Sequence, residues 1–147
     1  MQTPAPAYRP APPPAFWKHP LFIILAVIFP VVLIVGRIIH APVDDSYIFY
    51  VYARSFVEGA GLTFNGLNVE GYSSLLWMFG ISGLSLTGLP IPFIGEALST
   101  LAGLFTLLMT YRLARRAGLG PYTALIPLGL LAASGDFVFY ASVGMET

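Results

Sequence analysis

Two adjacent carboxylates, Asp44 and Asp45, open the one stretch of this sequence that is dense in chemically active side chains. Residues 41–79 read APVDDSYIFYVYARSFVEGAGLTFNGLNVEGYSSLLWMF. Beyond the two acids this stretch offers a crowd of aromatic rings and one guanidinium, Arg54. Neighbouring acids can serve as a general base, hold a divalent cation between them, or cap the helix that follows. Capping uses one aspartate and leaves the other unexplained. The chain has no cysteine, which removes disulfides, thiolate metal sites and cysteine nucleophiles together. Seven basic residues balance seven acidic ones, so the net charge indicates neither a nucleic acid nor an acidic partner.

The elements around this stretch must be argued from a chain that is 56% hydrophobic and 10% charged. Soluble domains carry about 25% charged residues, so the solvent expected here is lipid. Residues 1–20 hold seven of the thirteen prolines and read as a disordered, partly polyproline-II cytoplasmic tail. Residues 21–39 are apolar apart from Arg37 and span about 28 Å as a helix, most of a hydrocarbon core. This gives a first transmembrane helix over 21–40, kinked at Pro30. A signal peptide would have a shorter apolar region and a small-residue cleavage site. Arg9 and Lys18 place the N-terminus inside and residues 40 onward outside.

An external loop then covers 41–72. Its residues 46–58 predict a helix on the membrane surface, with Phe49, Ala53, Phe56 and Val57 on one side and Tyr47, Tyr50, Arg54 and Glu58 on the other. Asp44 or Asp45 would cap its start. Residues 73–89 are rich in Gly, Ser and Thr and read as a re-entrant or interfacial helix, followed by transmembrane helices over 93–113 and 121–140. With 73–89 not crossing, Arg112, Arg115 and Arg116 fall inside and act as topology determinants. All seven carboxylates, Asp136 and Glu146 among them, then fall at or near the outer face. The expected fold is an all-α, multi-pass transmembrane bundle with an amphipathic juxtamembrane helix in its first external loop. The chain is expected to be the front of a longer protein.

The run DDSYIFYVYARSFVEGAGLTFN followed by VEGYSSLLW resembles the first external loop of GT-C membrane glycosyltransferases, in their arabinofuranosyltransferase-like and mannosyltransferase-like branch. SVGMET, residues 142–147, is similar to the S-G-(L/M)-E-T stretch that this family carries at the outer end of a later helix. The resemblance implies an enzyme of the cell membrane that moves a sugar, with inversion, from a polyprenyl-phosphate donor to a glycan or lipid acceptor on the extracytoplasmic face. It implies Asp44 as the base that takes the acceptor's proton and Asp45 as a group orienting the acceptor or a cation. Tyr47, Arg54, Glu70, Tyr72, Trp77 and Glu146 are the implied substrate-binding residues, with Arg54 on the phosphate and Trp77 stacked on sugar or prenyl chain. No cofactor is fixed by the motif, and a divalent cation between Asp44 and Asp45 stays open. The implied partners are the lipid-linked donor, the acceptor and membrane lipids, with no nucleic acid. One departure is the short turn Asn65-Gly66-Leu67-Asn68, where the family commonly has a longer Asn-Pro-Gly-Glu type.

The residues alone keep a rival of another class, a non-enzymatic multi-pass protein such as a transporter or assembly subunit. Such a protein is expected to carry internal repeats and polar groups at mid-membrane. Blander roles also compete residue by residue. His40 reads as an interfacial anchor, the Tyr47, Tyr50 and Tyr52 set as an interfacial belt, and the glycines and serines over 80–88 as packing positions. Glu96, near the start of a membrane helix, is the acid hardest to explain this way.

Overall fold

A computed structural model of the protein describes residues 19–39 and 44–145. Nearly all of the expected tail, together with His40 and Glu146, lies outside them. The first helical run opens at His19, whose ring accepts the Leu21 N–H at 3.3 Å, with Pro20 at the position where a missing N–H does no harm. It comprises α1 (Pro20–Ile23), a π-helical turn (Ile24–Ile28) and α2 (Phe29–Ile39). The widened turn has a cause in Pro30. Its ring would collide with the carbonyl four residues back, and it has no N–H to give. The turn before it opens, and the Phe29 N–H bonds to Ile24 O, five residues back.

Helix α3 (Asp44–Val57) forms where a surface helix was expected, two residues earlier, so that both aspartates sit in its first turn. Its buried side differs from the expected one. Ser46, Phe49, Tyr50, Tyr52 and Ala53 are buried, whereas Phe56 and Val57 are exposed. The reason is that α3 packs against two helices, α4 (Leu75–Ser85) and α5 (Ile91–Arg116), so its buried arc is wide enough to take in Tyr50. Tyr52 is fully buried and is no interfacial belt residue. Its hydroxyl donates to Val69 O at 2.6 Å and accepts the Gly71 N–H at 3.0 Å, fastening the loop after α3 to the helix. Within that loop Phe64 and Leu67 exchange two backbone hydrogen bonds around Asn65 and Gly66, whose φ values of 52° and 83° make the tight turn that Asn-Gly favours.

Helix α4 begins at Ser74, whose hydroxyl accepts the Trp77 N–H at 3.3 Å. Its 11 residues rise about 16 Å, against a hydrocarbon core of about 30 Å. Helix α5 has 26 residues and rises about 39 Å. The third expected span, 121–140, is not one helix. A single 3₁₀ turn (Thr123–Leu125) leads into α6 (Ile126–Ala132), and the chain breaks before α7 (Gly135–Tyr140). Ser134 adopts extended backbone there, and its hydroxyl accepts the Phe137 N–H to start a new helix, a local preference that overrides the continuous apolar pattern.

The described residues are thus mostly helical with no strand, and two helices, Pro20–Ile38 and Ile91–Arg116, are long and apolar enough to cross a membrane. Two cores hold them. An aromatic one gathers Phe49, Tyr50, Tyr52, Met78, Ile81 and Ile94 from α3, α4 and the start of α5. An aliphatic one joins Ile24, Leu107 and Leu128 from the first run, α5 and α6, with Val32, Val138 and Ala141 beside it. An ion pair of 2.9 Å between Arg37 and Glu96 ties the end of α2 to the start of α5. Much of the remaining helix surface is apolar and uncovered, with Ile38 77% and Leu130 71% exposed.

Candidate functional site

Helix α3 turns about 100° per residue, which sorts its polar groups into faces. Asp44, Tyr47, Val51, Arg54 and Glu58 fall within an arc of about 80°. Asp45 lies about 100° from Asp44, away from that arc. The arc faces a groove of about 530 Å³ between α3 and the turn from α4 into α5, lined by Tyr47, Val51, Arg54, Glu58, Leu89 and Pro90 among others. Asp44 continues the same stripe one turn beyond Tyr47. Both aspartates are exposed at the N-terminal end of α3, where the partial positive charge of the helix favours anions. Among the described residues no third acid or histidine joins them as a metal-ligating group.

Arg54 pairs with Glu58 of its own helix at 2.9 Å, and both side chains are largely exposed. A pair of this kind is worth about 0.3–0.5 kcal/mol, so Glu58 holds Arg54 only weakly. Glu96, the acid left unexplained by the sequence, has its partner in Arg37.

The second half of the site comes from the far end of the chain. After α7 the backbone turns under α3, and three successive carbonyls are held by three helices. Val143 O accepts from Ser46 Oγ of α3 at 2.7 Å, Gly144 O from Trp77 Nε1 of α4 at 3.2 Å, and Met145 O from Ser99 Oγ of α5 at 2.8 Å. Gly144 is left-handed at φ 81°, and a Cβ there would fall on the Tyr50 hydroxyl. From the opposite side a Cβ on Gly95 would stand 2.5 Å from the same ring. Tyr50 is therefore seated between two glycines.

This seat has a measurable consequence. Burial first, then the Glu96 carboxylate and Tyr47, push the Tyr50 phenol up from 10.0 to about 12. In the unfolded chain the phenol loses its proton near pH 10, while in the fold it keeps it to about pH 12. The fold therefore loses stability as pH rises across that window, and Tyr50 gives no pH dependence below it. In an ultraviolet titration, Tyr50→Phe should remove an ionisation step near pH 12.

The residues proposed from sequence divide into three places. Tyr47 and Arg54 line the groove, and Asp44 lies on the same face of α3 one turn beyond its lining. Trp77 is half-buried, with its indole N–H committed to Gly144 O. Tyr72 is half-buried against Tyr52, ring centroids 5.0 Å apart and edge-on, and Glu70 is exposed in the loop that Tyr52 fastens. Asp136, expected at the outer face, lines a cavity of about 270 Å³ with Gly103 and Thr106, level with the middle of α5. Glu146 lies outside the described residues. Sequence reasoning missed Ser46, Ser99 and the seat of Tyr50. The available signal was weak: isolated hydroxyls and glycines on otherwise apolar helices. In comparisons with known proteins, no family model, no curated protein and no solved structure matches this chain.

Proposed function

We propose that the chain carries the acidic external loop of a polyprenyl-phosphate-dependent membrane glycosyltransferase of the GT-C type. The observation that carries this reading is the seating of residues 143–145 by Ser46, Trp77 and Ser99. The stretch led by Asp44 and Asp45 and residues 143–145 of the second stretch that resembles the family lie far apart in sequence and meet in space.

In this reading Pro20–Ile38 and Ile91–Arg116 cross the membrane and their uncovered apolar faces meet lipid. Helix α3 lies at the outer surface, α4 is too short to cross, and the arginines at the far end of α5 face the cytoplasm. The donor's prenyl chain lies along the apolar wall of the groove, with its phosphate at Arg54. Asp44 takes the proton of the acceptor hydroxyl as its oxygen attacks the anomeric carbon, and the lipid phosphate leaves. Asp45, on another face, orients the acceptor. Membranes containing the full-length protein, given a polyprenyl-phosphate sugar and an acceptor glycan, should form a product of inverted anomeric configuration. No incorporation above that of membranes lacking the protein, across the common hexose and pentose donors, removes the proposal.

One observation favours the non-enzymatic reading. Asp136 beside a cavity at mid-α5 is the placement expected of a transport site. Under that reading Asp136→Asn abolishes function and Asp44→Asn leaves it; under the enzymatic one Asp44 dominates.

A further inference from the structure

The last turns of α5 carry Arg112, Arg115 and Arg116, and these cations are not equivalent. Arg115 turns back along the chain, donating from its guanidinium to Leu119 O at 2.7 Å. Arg112 and Arg116 instead line a shallow groove of about 470 Å³ along α5, walled by Phe105, Met109, Leu113 and by Thr106 and Thr110, whose hydroxyls turn back to carbonyls of their own helix. Phe105, Met109, Arg112 and Arg116 fall within an arc of about 60° on the helix, opposite the buried Gly103, Leu107 and Ala114. The groove thus looks away from the other described helices.

Its chemistry changes along its length. Two guanidiniums one turn apart stand at the helix end, and an apolar track runs from them toward the helix centre. Phe105 lies about 16 Å along the axis from Arg116, close to half the hydrocarbon thickness of about 30 Å. Residues 97–135 contain no Asp or Glu, so these cations have no carboxylate of their own stretch to neutralise them. A phosphate fits between paired guanidiniums, and an acyl chain fits the track below.

We infer that this face of α5 holds an anionic phospholipid of the leaflet at its arginine end, headgroup phosphate on Arg112 and Arg116 and one acyl chain along Met109 and Phe105. The inference rests on α5 crossing the membrane and is independent of any transferase activity. Arg115 is a bystander to it, which separates this site from a general attraction of three positive charges.

The test is a lipid titration of the purified full chain in nanodiscs, read by native mass spectrometry, with phosphatidylglycerol against phosphatidylcholine. Both leaflets have the same composition, so a change in insertion direction does not affect the reading. A juxtamembrane arginine contributes on the order of fivefold in affinity. R112Q/R116Q should therefore lose about thirtyfold in preference for phosphatidylglycerol, while R115Q should stay near the parent. Met109→Asn should weaken binding of phosphatidylglycerol with both arginines intact. Equal losses from R115Q and R112Q overturn the site in favour of diffuse charge. No preference for phosphatidylglycerol overturns it outright, and equal binding of soluble glycerol phosphate shows a phosphate site that needs no lipid. Failure of the parent to enter nanodiscs at all would instead remove the membrane reading.

Discussion

Asp44→Asn is expected to lower sugar transfer by about 10²–10⁴-fold while leaving insertion and donor binding close to those of the parent protein. The amide keeps the size of the carboxylate and cannot accept the acceptor's proton. Asp45→Asn should cost less, and the structure adds a reason. Asp44 extends the groove-facing stripe of Tyr47 and Arg54, and Asp45 sits about 100° round the helix from it. Transfer from a fixed lipid-linked donor is the measurement, with donor binding recorded separately. If both single variants were equally inactive, a shared metal site would be the better account, and activity should then follow added divalent ion. An Asp44→Asn protein retaining more than about a tenth of the rate removes the base assignment altogether.

Gly144→Ala should destabilise the fold through two separable costs. At φ 81° a side chain costs about 1–2 kcal/mol in backbone strain. The new Cβ also falls on the Tyr50 hydroxyl, and overpacking of this kind costs about 1–3 kcal/mol. Gly118 supplies the control, since its φ of 91° is similar and nothing stands within 4 Å of its would-be Cβ. Gly118→Ala should therefore show only the strain. Adding Tyr50→Phe to Gly144→Ala should restore the packing part and leave the backbone part. Thermal unfolding of the four proteins in one detergent measures both. A Gly144→Ala protein as stable as the parent means that residues 143–145 are not seated as described.

The sequence made the long apolar helices and the helix that follows Asp44 legible because each rests on a strong local signal: unbroken apolar length, or an amphipathic run bounded by turns. It also indicated the Asn65-Gly66 turn, whose chemistry is local. It failed where tertiary contacts decide. The helical wheel put Tyr50 on the polar side of α3 because no local rule foretells that Gly95 and Gly144 would leave a slot for its ring. Residues 121–140 read as one span because apolarity is continuous there, yet a single capping hydroxyl at Ser134 divides the stretch. Asp136 lies just past that break, where it lines one cavity with Gly103 and Thr106 of α5. For the site, the residue types were visible and their grouping was not. Nothing in the local sequence says that Trp77 spends its indole N–H on Gly144 O, or that Glu70 and Arg54 belong to different places.

The hydrogen bond from Ser46 to Val143 joins residues 97 positions apart, and this sets the order in which the protein can be finished during its own synthesis. Ribosomes add about 5–20 residues per second, so about 5–20 s separate the appearance of Ser46 from that of its acceptor. Throughout that interval α3 lacks the segment that closes over Tyr50, and Trp77 and Ser99 await the carbonyls of Gly144 and Met145. Helices α4 and α5 are made and can pack within this time, so the scaffold precedes the site. The acidic helix can thus pack on α4 and α5 first, and the seat of Tyr50 closes only when the chain has returned from α7.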